Sequence, residues 1–476
     1  MSIRPLKKLF AALALGSALG ACSMMPAYER PVAPTPGVWP KGEAYGTGEN
    51  AVAASGADAH SLGWEAFFRA PELQALIRTA LDNNRDLRAA ALRVEAYRAQ
   101  YRIQRADRLP SLSADGSATR QRLPADLSMG PDATTSGQYS VGLGIAAYEL
   151  DFFGRIRSLE ETALEAYLAQ EASQRALRLA LTAEVANAWL ALRTDQAQLV
   201  LVRDTLSAYE ASLGLIKLRF EAGAASELEV RQAQAAVDAA RAQEALYVRR
   251  VAQDTNGLEV LLGAPAPQAG ADPAAPLGDV PATLPVGLPA EVLQRRPDIL
   301  AAEHRLRSAN ASIGAARAAF FPSITLTAGA GTASSELSGL FDGGSGFWSF
   351  MPQIRLPIFN AGRLAASLDY AELQKDIAVA EYEKAIQQAF REVADGLAAR
   401  QTFTAQLKAE QDLVDTNRRY LELADQRYRA GVESYLTVLD AQRALLGARQ
   451  QLLGSQLGQR SSEVALYKAL GGGDWH

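Results

Sequence analysis

The chain has 476 residues, with 48 Lys and Arg against 53 Asp and Glu, a formal net charge of −5 and aromatic residues at only 7%. At ~150 residues per domain, that length would ordinarily mean about three domains. The mildly acidic balance, with no Lys/Arg cluster interleaved with aromatics, argues against nucleic acid as a partner, and the single cysteine, Cys22, excludes disulfides within the chain.

Residues 1–21 read as a signal peptide. Arg4, Lys7 and Lys8 precede the apolar run Leu9–Ala21, which is too short for the ~20 residues of a membrane-spanning helix. Leu19-Gly20-Ala21-Cys22 resembles a bacterial lipobox. That resemblance implies a lipidated Cys22 as first mature residue, and Ser23 after it implies sorting to the outer membrane. Residues 22–70 then form an extended leader, rich in Pro from Pro26 to Pro40 and in Gly from Gly42 to Gly56, without a core-forming period.

From residue 71 the chain repeats. Leu87–Thr119 aligns with Ile299–Gly331, and Leu218–Val237 with Gln426–Leu445, an offset of roughly 210 residues that is far too long for a solenoid unit. Two halves follow, residues 71–264 and 289–476, joined by a proline-dense linker over 265–288. Each half predicts a helix, a strand pair, a very long helix and a further helix.

In the first half the strands are expected at 110–121 and 137–148, the long helix at 155–222 and the last helix at 226–262. In the second they are expected at 322–334, 346–358, 363–430 and 434–470. Tyr139, Val141, Leu143 and Ile145 alternate with Ser140, Gly142, Gly144 and Ala146, while Trp348, Phe350, Pro352 and Ile354 alternate with Ser349, Gln353 and Arg355. Apolar alternation over ~9–11 residues suits tilted membrane strands with one face to lipid, and also suits a soluble two-layer sheet. The connecting stretches Arg122–Ser136 and Ser335–Ser345 are polar, as expected on the outer side of a barrel.

No proline occurs between Pro131 and Pro265 or after Pro357. Since proline in a helix interior costs ~3 kcal/mol, these stretches can hold long helices. Recurrent charges such as Glu160, Glu171, Arg178 and Glu184 keep them out of lipid. In the last helix Val438, Leu445 and Leu452, and Leu439, Leu446 and Leu453, recur every seven residues, as a coiled-coil seam or a bundle helix would. Both long helices end at glycine, Gly223 and Gly431. Ser226 with Glu229 makes a capping box, and Ser434 takes the same place in the second half with Thr437 in place of Glu.

Four strands per chain cannot close a barrel, since the smallest have about eight, and an open sheet in lipid leaves backbone groups unpaired. If the strands enter the membrane the chain must oligomerise. A dimer, a trimer and a tetramer all remain open on this ground alone.

Several motifs resemble one family. They are Gly287-Leu-Pro-Ala-Glu-Val-Leu-Gln-Arg-Arg-Pro-Asp-Ile299, Gly314-Ala-Ala-Arg-Ala-Ala-Phe-Phe-Pro-Ser323, Tyr148-Glu-Leu-Asp-Phe-Phe-Gly-Arg155, Pro357-Ile-Phe-Asn-Ala-Gly-Arg363, Tyr435-Leu-Thr-Val-Leu-Asp-Ala-Gln-Arg443 and Tyr467-Lys-Ala-Leu-Gly-Gly-Gly473. Together they resemble the outer-membrane factors of tripartite efflux pumps, the TolC superfamily, and the lipobox resembles its OprM/NodT lipoprotein branch. The resemblance implies a mixed, mostly α membrane protein. It would be a homotrimer with a twelve-stranded outer-membrane β-barrel, four strands per chain, continued by a periplasmic α-helical barrel. It implies passive conduction of drugs or other small amphiphiles, a periplasmic adaptor meeting the tips at Gly223, Ser226, Gly431 and Ser434, and an inner-membrane transporter of the RND type. Protein secretion or metal-ion efflux are alternatives within the same duct class.

Leu436, Asp440 and Arg443 share one helix face. The resemblance implies that they line a closed periplasmic aperture, whereas a solvated Asp–Arg pair is the simpler reading of the spacing alone. The first half carries Leu228, Gln232 and Ala235 at these sites, so the gate charges belong to the second half only. No enzyme, cofactor or metal is expected: His60, His304 and His476 lie far apart, and no His-Glu-x-x-His or Cys/His cluster occurs. A structural lipoprotein without a pore and a lipid-anchored enzyme are the competing classes.

Overall fold

A computed structural model of the chain describes residues 23–45, 62–127, 132–266 and 295–472. The signal peptide, Cys22, His60, His476 and most of the linker lie outside the described residues. In chain order the elements are α1 (Trp64–Phe67), α2 (Pro71–Asn83), α3 (Arg85–Ala106), β1 (Leu112–Leu123), β2 (Thr134–Glu149), α4 (Arg155–Glu221), α5 (Glu227–Leu262), α6 (Pro297–Ala318), β3 (Ser323–Ser334), β4 (Gly346–Arg355), α7 (Arg363–Arg429) and α8 (Tyr435–Ala469).

Two differences from the sequence reading have local causes. The opening helix of the first half is two helices, because Asn84 adopts extended backbone and accepts from the Leu87 N–H at 2.9 Å, capping α3. Strand β2 starts at Thr134, three residues before the alternation suggested, so the polar connection between β1 and β2 is shorter than Arg122–Ser136. Thr134 and Thr135 pair with Leu123 and Arg122 across the hairpin, and polar hairpin ends carry no apolar alternation to read.

The chain divides into two compact units, each drawing segments from both halves. The first comprises Met1–Val32, Arg93–Glu171 and Ala301–Tyr382. It holds an antiparallel four-stranded sheet in the order β1-β2-β3-β4. The register places Leu112, Ile145, Ala328 and Phe350 in one row and Ala114, Leu143, Ala330 and Trp348 in the next. Opposed residues share a face, so the alternation in separate strands becomes one apolar face. That face is open: Leu112 is 69% exposed, Trp348 79% and Ile354 69%. A contiguous exposed apolar face of this kind marks an interaction or membrane surface.

The opposite face is small and polar, with rows Ser113–Gly144–Gly329–Ser349 and Asp115–Gly142–Gly331–Phe347, the last interrupted by an aromatic ring. A bulge between Ile145 and Tyr148, where Ala147 has φ +49°, shifts the pairing so that Tyr148 opposes Leu326 on the apolar side. Glycine is required at 331, where a Cβ would lie against the backbone of Val141 and Gly142. Among the described residues no helix is long and apolar enough to cross a membrane.

At the helix-side end of the sheet, Asp151 accepts from the N–H groups of Ile156 and Arg157 at 3.2 and 2.9 Å and so caps α4. Arg155 forks onto Glu149 at 2.8 and 2.6 Å, and Phe153 stacks on Phe321 with centroids 4.8 Å apart. Helix α4 then runs 67 residues, about 100 Å at 1.5 Å per residue.

The second unit comprises Ala33–Leu92, Ala172–Leu300 and Glu383–His476. Its larger core gathers Phe67, Phe68, Ile77, Leu190, Leu262, Leu466 and Tyr467, all fully or almost fully buried. Each such side chain contributes about 1.5–3 kcal/mol of burial. Tyr467 stacks on Phe67 with centroids 4.2 Å apart, and Trp39 stacks on Phe390 at 5.0 Å. Arg296 is buried. It forks onto Asp298 at 3.0 and 2.7 Å, reaches Glu392 at 2.8 Å and donates to the Ala469 carbonyl at 2.9 Å. Burial pushes the Asp298 carboxyl up, but the Arg296 hydrogen bonds and charge outweigh it and hold the group below the usual carboxylate range. Arg296 thereby ties the start of α6 to the end of α8.

The sheet makes a direct prediction. Gly331→Val should lose β2–β3 pairing and the recovery of folded protein, as overpacking against rigid backbone costs about 1–3 kcal/mol or more. Gly329→Ala, whose Cβ would meet the Ser349 Oγ at 3.5 Å, should be recovered at wild-type yield.

Candidate aperture at the helical tips

The long helices α4 and α7 both close in left-handed glycine, Gly223 at φ +72° and Gly431 at φ +75°. In each case the glycine N–H and the next N–H turn back onto the helix. Gly223 N donates to the Phe220 carbonyl and Ala224 N to the Arg219 carbonyl; Gly431 N donates to Tyr428 and Val432 N to Arg427. Both tips are therefore Schellman motifs, with four otherwise orphaned carbonyls satisfied.

The helices that follow start differently. Ser226 accepts from the Glu229 N–H at 3.3 Å, and Glu229 accepts from the Ser226 N–H at 2.7 Å, a complete capping box. Ser434 stands at the same place but makes no side-chain cap, so its expected part as the serine of a cap is corrected. Its hydroxyl lies 3.3 Å from the Thr437 hydroxyl, and Thr437 donates to Glu433 at 3.1 Å. Thr437 carries no carboxylate to return to the backbone, and Glu433 takes that place. Hydrogen bonds from Thr437, from the Ser434 backbone and from Arg427 hold its carboxyl below the ordinary range.

Behind the tips, Tyr209, Leu213, Ile216, Ala233, Val237, Ala424, Tyr435, Val438 and Leu439 form one buried cluster shared by α4, α5, α7 and α8. Arg219 donates to the Tyr428 hydroxyl at 2.6 Å, and its guanidinium lies 5.0 Å from the centre of that ring. Tyr428 packs against Tyr435 with centroids 5.7 Å apart. Burial, with the neighbouring Tyr428 and Tyr209, pushes the Tyr435 phenol up to about 12. It stays neutral at physiological pH.

Leu436, Asp440 and Arg443 are all exposed, Leu436 at 45%. Asp440 and Arg443 approach each other at 3.8 Å within the chain, longer than a hydrogen bond. Leu228, the first-half counterpart of Leu436, is also exposed, at 66%. The three residues thus share one exposed face of α8, whose Tyr435 packs on the ring of the Arg219–Tyr428 contact. That contact was not singled out from sequence. Its only trace there is that Arg219 matches Arg427 in the repeat, yet Arg427 turns to Glu433 at 3.4 Å instead. Cys22 lies outside the described residues. His304 meets Glu165 at 2.6 Å between α6 and α4, and no group of three or more His, Cys, Asp or Glu among the described residues could hold a metal ion.

An outward apolar sheet face, two 67-residue helices and paired glycine-closed tips now stand together with the comparisons. The model of the outer membrane efflux protein family matches residues 76–264 and 288–472. The chain belongs to this family, within the TolC superfamily. It is 58% identical to the toluene efflux pump outer membrane protein TtgF of Pseudomonas putida over 98% of this chain and 97% of that one. It is 56% identical to the antibiotic efflux pump outer membrane protein ArpC of Pseudomonas putida over 96% and 94%. The crystal structure of the open state of the Neisseria gonorrhoeae MtrE outer membrane channel superposes with a TM-score of 0.83 at 39% identity, covering 95% of this chain and 98% of that one. The protein is an outer-membrane channel of an efflux system.

The efflux channel's two tips should differ in how much their serines contribute. Ser226→Ala is expected to cost about 1 kcal/mol of local stability and to speed amide exchange at the start of α5. Ser434→Ala should leave exchange at the start of α8 unchanged, since no cap is lost.

Proposed function

We propose that the efflux channel is a homotrimer in which three four-stranded sheets close a twelve-stranded outer-membrane barrel, continued by an α-helical barrel in the periplasm. The observation that carries this is the sheet itself. Its outer face is apolar, and among the described residues β1 and β4 each keep one edge without a neighbouring strand. In hydrocarbon each unsatisfied backbone group costs several kcal/mol, so such edges must pair with other copies. The recurrence of helix, strand pair, 67-residue helix and a helix of 36 or 35 residues supports an internal two-fold repeat. Six near-equivalent segments would then line one duct.

Under this reading the channel conducts passively, and the free energy for transport is supplied by an inner-membrane transporter, of the RND type, through a periplasmic adaptor. The tips at Gly223, Ser226, Gly431 and Ser434 are the surface offered to the adaptor. The relatives named for toluene and antibiotic efflux pumps support small amphiphiles and drugs as the cargo class. The lipobox supports acylation of Cys22, with residues 1–21 removed.

Leu436, Asp440 and Arg443 form the periplasmic gate. A loose i,i+3 pair is worth only ~0.2–0.5 kcal/mol within one exposed helix, so both charges remain available to neighbouring copies, and three Leu436 side chains would narrow the axis. The Arg219–Tyr428 hydrogen bond ties the ungated tip to the gated one.

Reconstitution in planar bilayers tests the reading. Asp440→Ala and Arg443→Ala should each raise single-channel conductance, and Tyr428→Phe, which loses the 2.6 Å hydrogen bond but keeps the ring, should raise it less. Unchanged conductance in both charge variants would remove the gate. A protein that neither conducts nor cross-links as a trimer would remove the channel assembly itself.

A further inference from the structure

The first described part of the N-terminal leader lies clamped along α6. A Cβ on Gly314 would lie 2.8 Å from the Met25 Cα, so the strap crosses the helix where only glycine permits it. Asn310 donates to the Pro26 carbonyl at 2.9 Å. Tyr28 donates to Glu303 at 3.2 Å, and the Arg307 guanidinium lies 4.9 Å from the centre of the Tyr28 ring. Arg30 forks onto both oxygens of Glu303 at 2.9 Å each. The Glu303 side chain is only 6% exposed. Burial pushes its carboxyl up, but hydrogen bonds from Arg30 and Arg307 prevail and keep it ionised.

The direction of the strap matters. Rising strap numbers meet falling helix numbers: Met25 at Gly314, Pro26 at Asn310, Tyr28 and Arg30 at Glu303. Traced back from Arg30 toward Cys22, the strap therefore heads for the C-terminal end of α6, which leads into β3 at Ser323. From Gly314 the helix has about 6 Å left to run. Cys22 lies three residues before Met25, a reach of at most about 10 Å of chain.

We propose that the Tyr28–Arg30–Glu303 clamp is a positioning device, which holds the acyl-bearing residue Cys22 at the helix-side rim of the sheet so that lipid chains and strands enter the same leaflet. The proposal rests on the acylation reading above. Its partner is the lipid surface around the barrel. Arg30 and Tyr28 touch no lipid themselves and act by fixing where the acyl chains can reach.

The test compares Arg30→Ala, Arg30→Lys, Cys22→Ser and the double variant Cys22→Ser/Arg30→Ala in full-length protein expressed in cells. The mass of the N-terminal peptide reports acylation separately. Arg30→Ala should remain acylated while its assembled oligomer in the outer membrane falls about tenfold, the scale set by loss of one charge-assisted hydrogen-bonded fork. Arg30→Lys should recover most of it. In the Cys22→Ser background the same Arg30 change should have no further effect. An equal further drop there would show a merely structural clamp and overturn the proposal, as would wild-type assembly of Arg30→Ala. A bare N-terminal peptide in the wild type would instead refute acylation itself. Should Cys22→Ser yield no oligomer, anisotropy of a fluorophore on Ser23→Cys decides. It should be high in the otherwise wild-type protein and low with Arg30→Ala, and equal values overturn the clamp.

Discussion

Backbone hydrogen bonding at the two edges of one small sheet is the constraint from which the rest of the molecule follows. Strands β1 to β4 satisfy one another by antiparallel pairing, but the outer sides of β1 and β4 expose alternate N–H and C=O groups. In water these groups would bond to solvent; in the proposed barrel the open face that carries Leu112, Leu143, Trp348 and Ile354 meets hydrocarbon, where no partner exists. Closure by further copies removes both edges at once. It also sets the inner surface, since pairing that sends the apolar row outward sends Ser113, Gly144, Gly329 and Ser349 inward. That inward face, with Asp115 and Phe347 among its hydroxyls and glycines, would keep the proposed lumen wet.

The same economy appears in the helices. Neither long helix has a strong amphipathic face along its length, and both carry charges throughout. Nucleation and marginal propensity cannot hold 67 residues straight in water, so lateral packing must do it along the whole length. Where that packing is visible it uses small residues. Ala233, Ala236, Ala240, Ala424 and Ala441 fill the tip cluster, and Gly458 receives the edge of Phe403. Small side chains let helix axes approach closely, and they explain why so large a protein carries so few aromatics.

How much of this was legible in the sequence follows from the range of each interaction. The long helices were readable because proline is absent, and glycine limited to Gly214 and Gly396, over the stretches in which backbone bonding is local, and their observed ends, Glu221 and Arg429, fall one residue from the expected ones. Both Schellman tips were readable for the same reason, since Gly223 and Gly431 act within six residues. What was not legible depends on distant partners. The bulge at Ala147 is a mismatch between β2 and β3, invisible in either alone. The break at Asn84 depends on an amide that also donates to Leu261, far along the chain. Arg219 and Tyr428 are 209 residues apart, and Arg30 and Glu303 are 273 apart. No local pattern marks one arginine as the partner of one tyrosine or one glutamate.

The proposed internal repeat, with its differences at the tips, gives the clearest link between chemistry and mechanism. Arg219 and Arg427 occupy matching positions, and each is the third-last residue of a long helix, where a cation favours the helix dipole. Their partners differ in kind. Arg427 meets Glu433 on its own hairpin at 3.4 Å, an exposed and solvent-screened pair. Arg219 crosses to the other hairpin and meets a phenol hydroxyl at 2.6 Å, against a ring packed on buried Tyr435. A screened pair within one hairpin adds little resistance to moving that hairpin as a body. A short hydrogen bond between hairpins must break if one swings relative to the other. With Asp440 and Arg443 confined to the second hairpin, the mobile element of an iris would be α7 with α8, turning against a first hairpin whose complete capping box keeps it rigid.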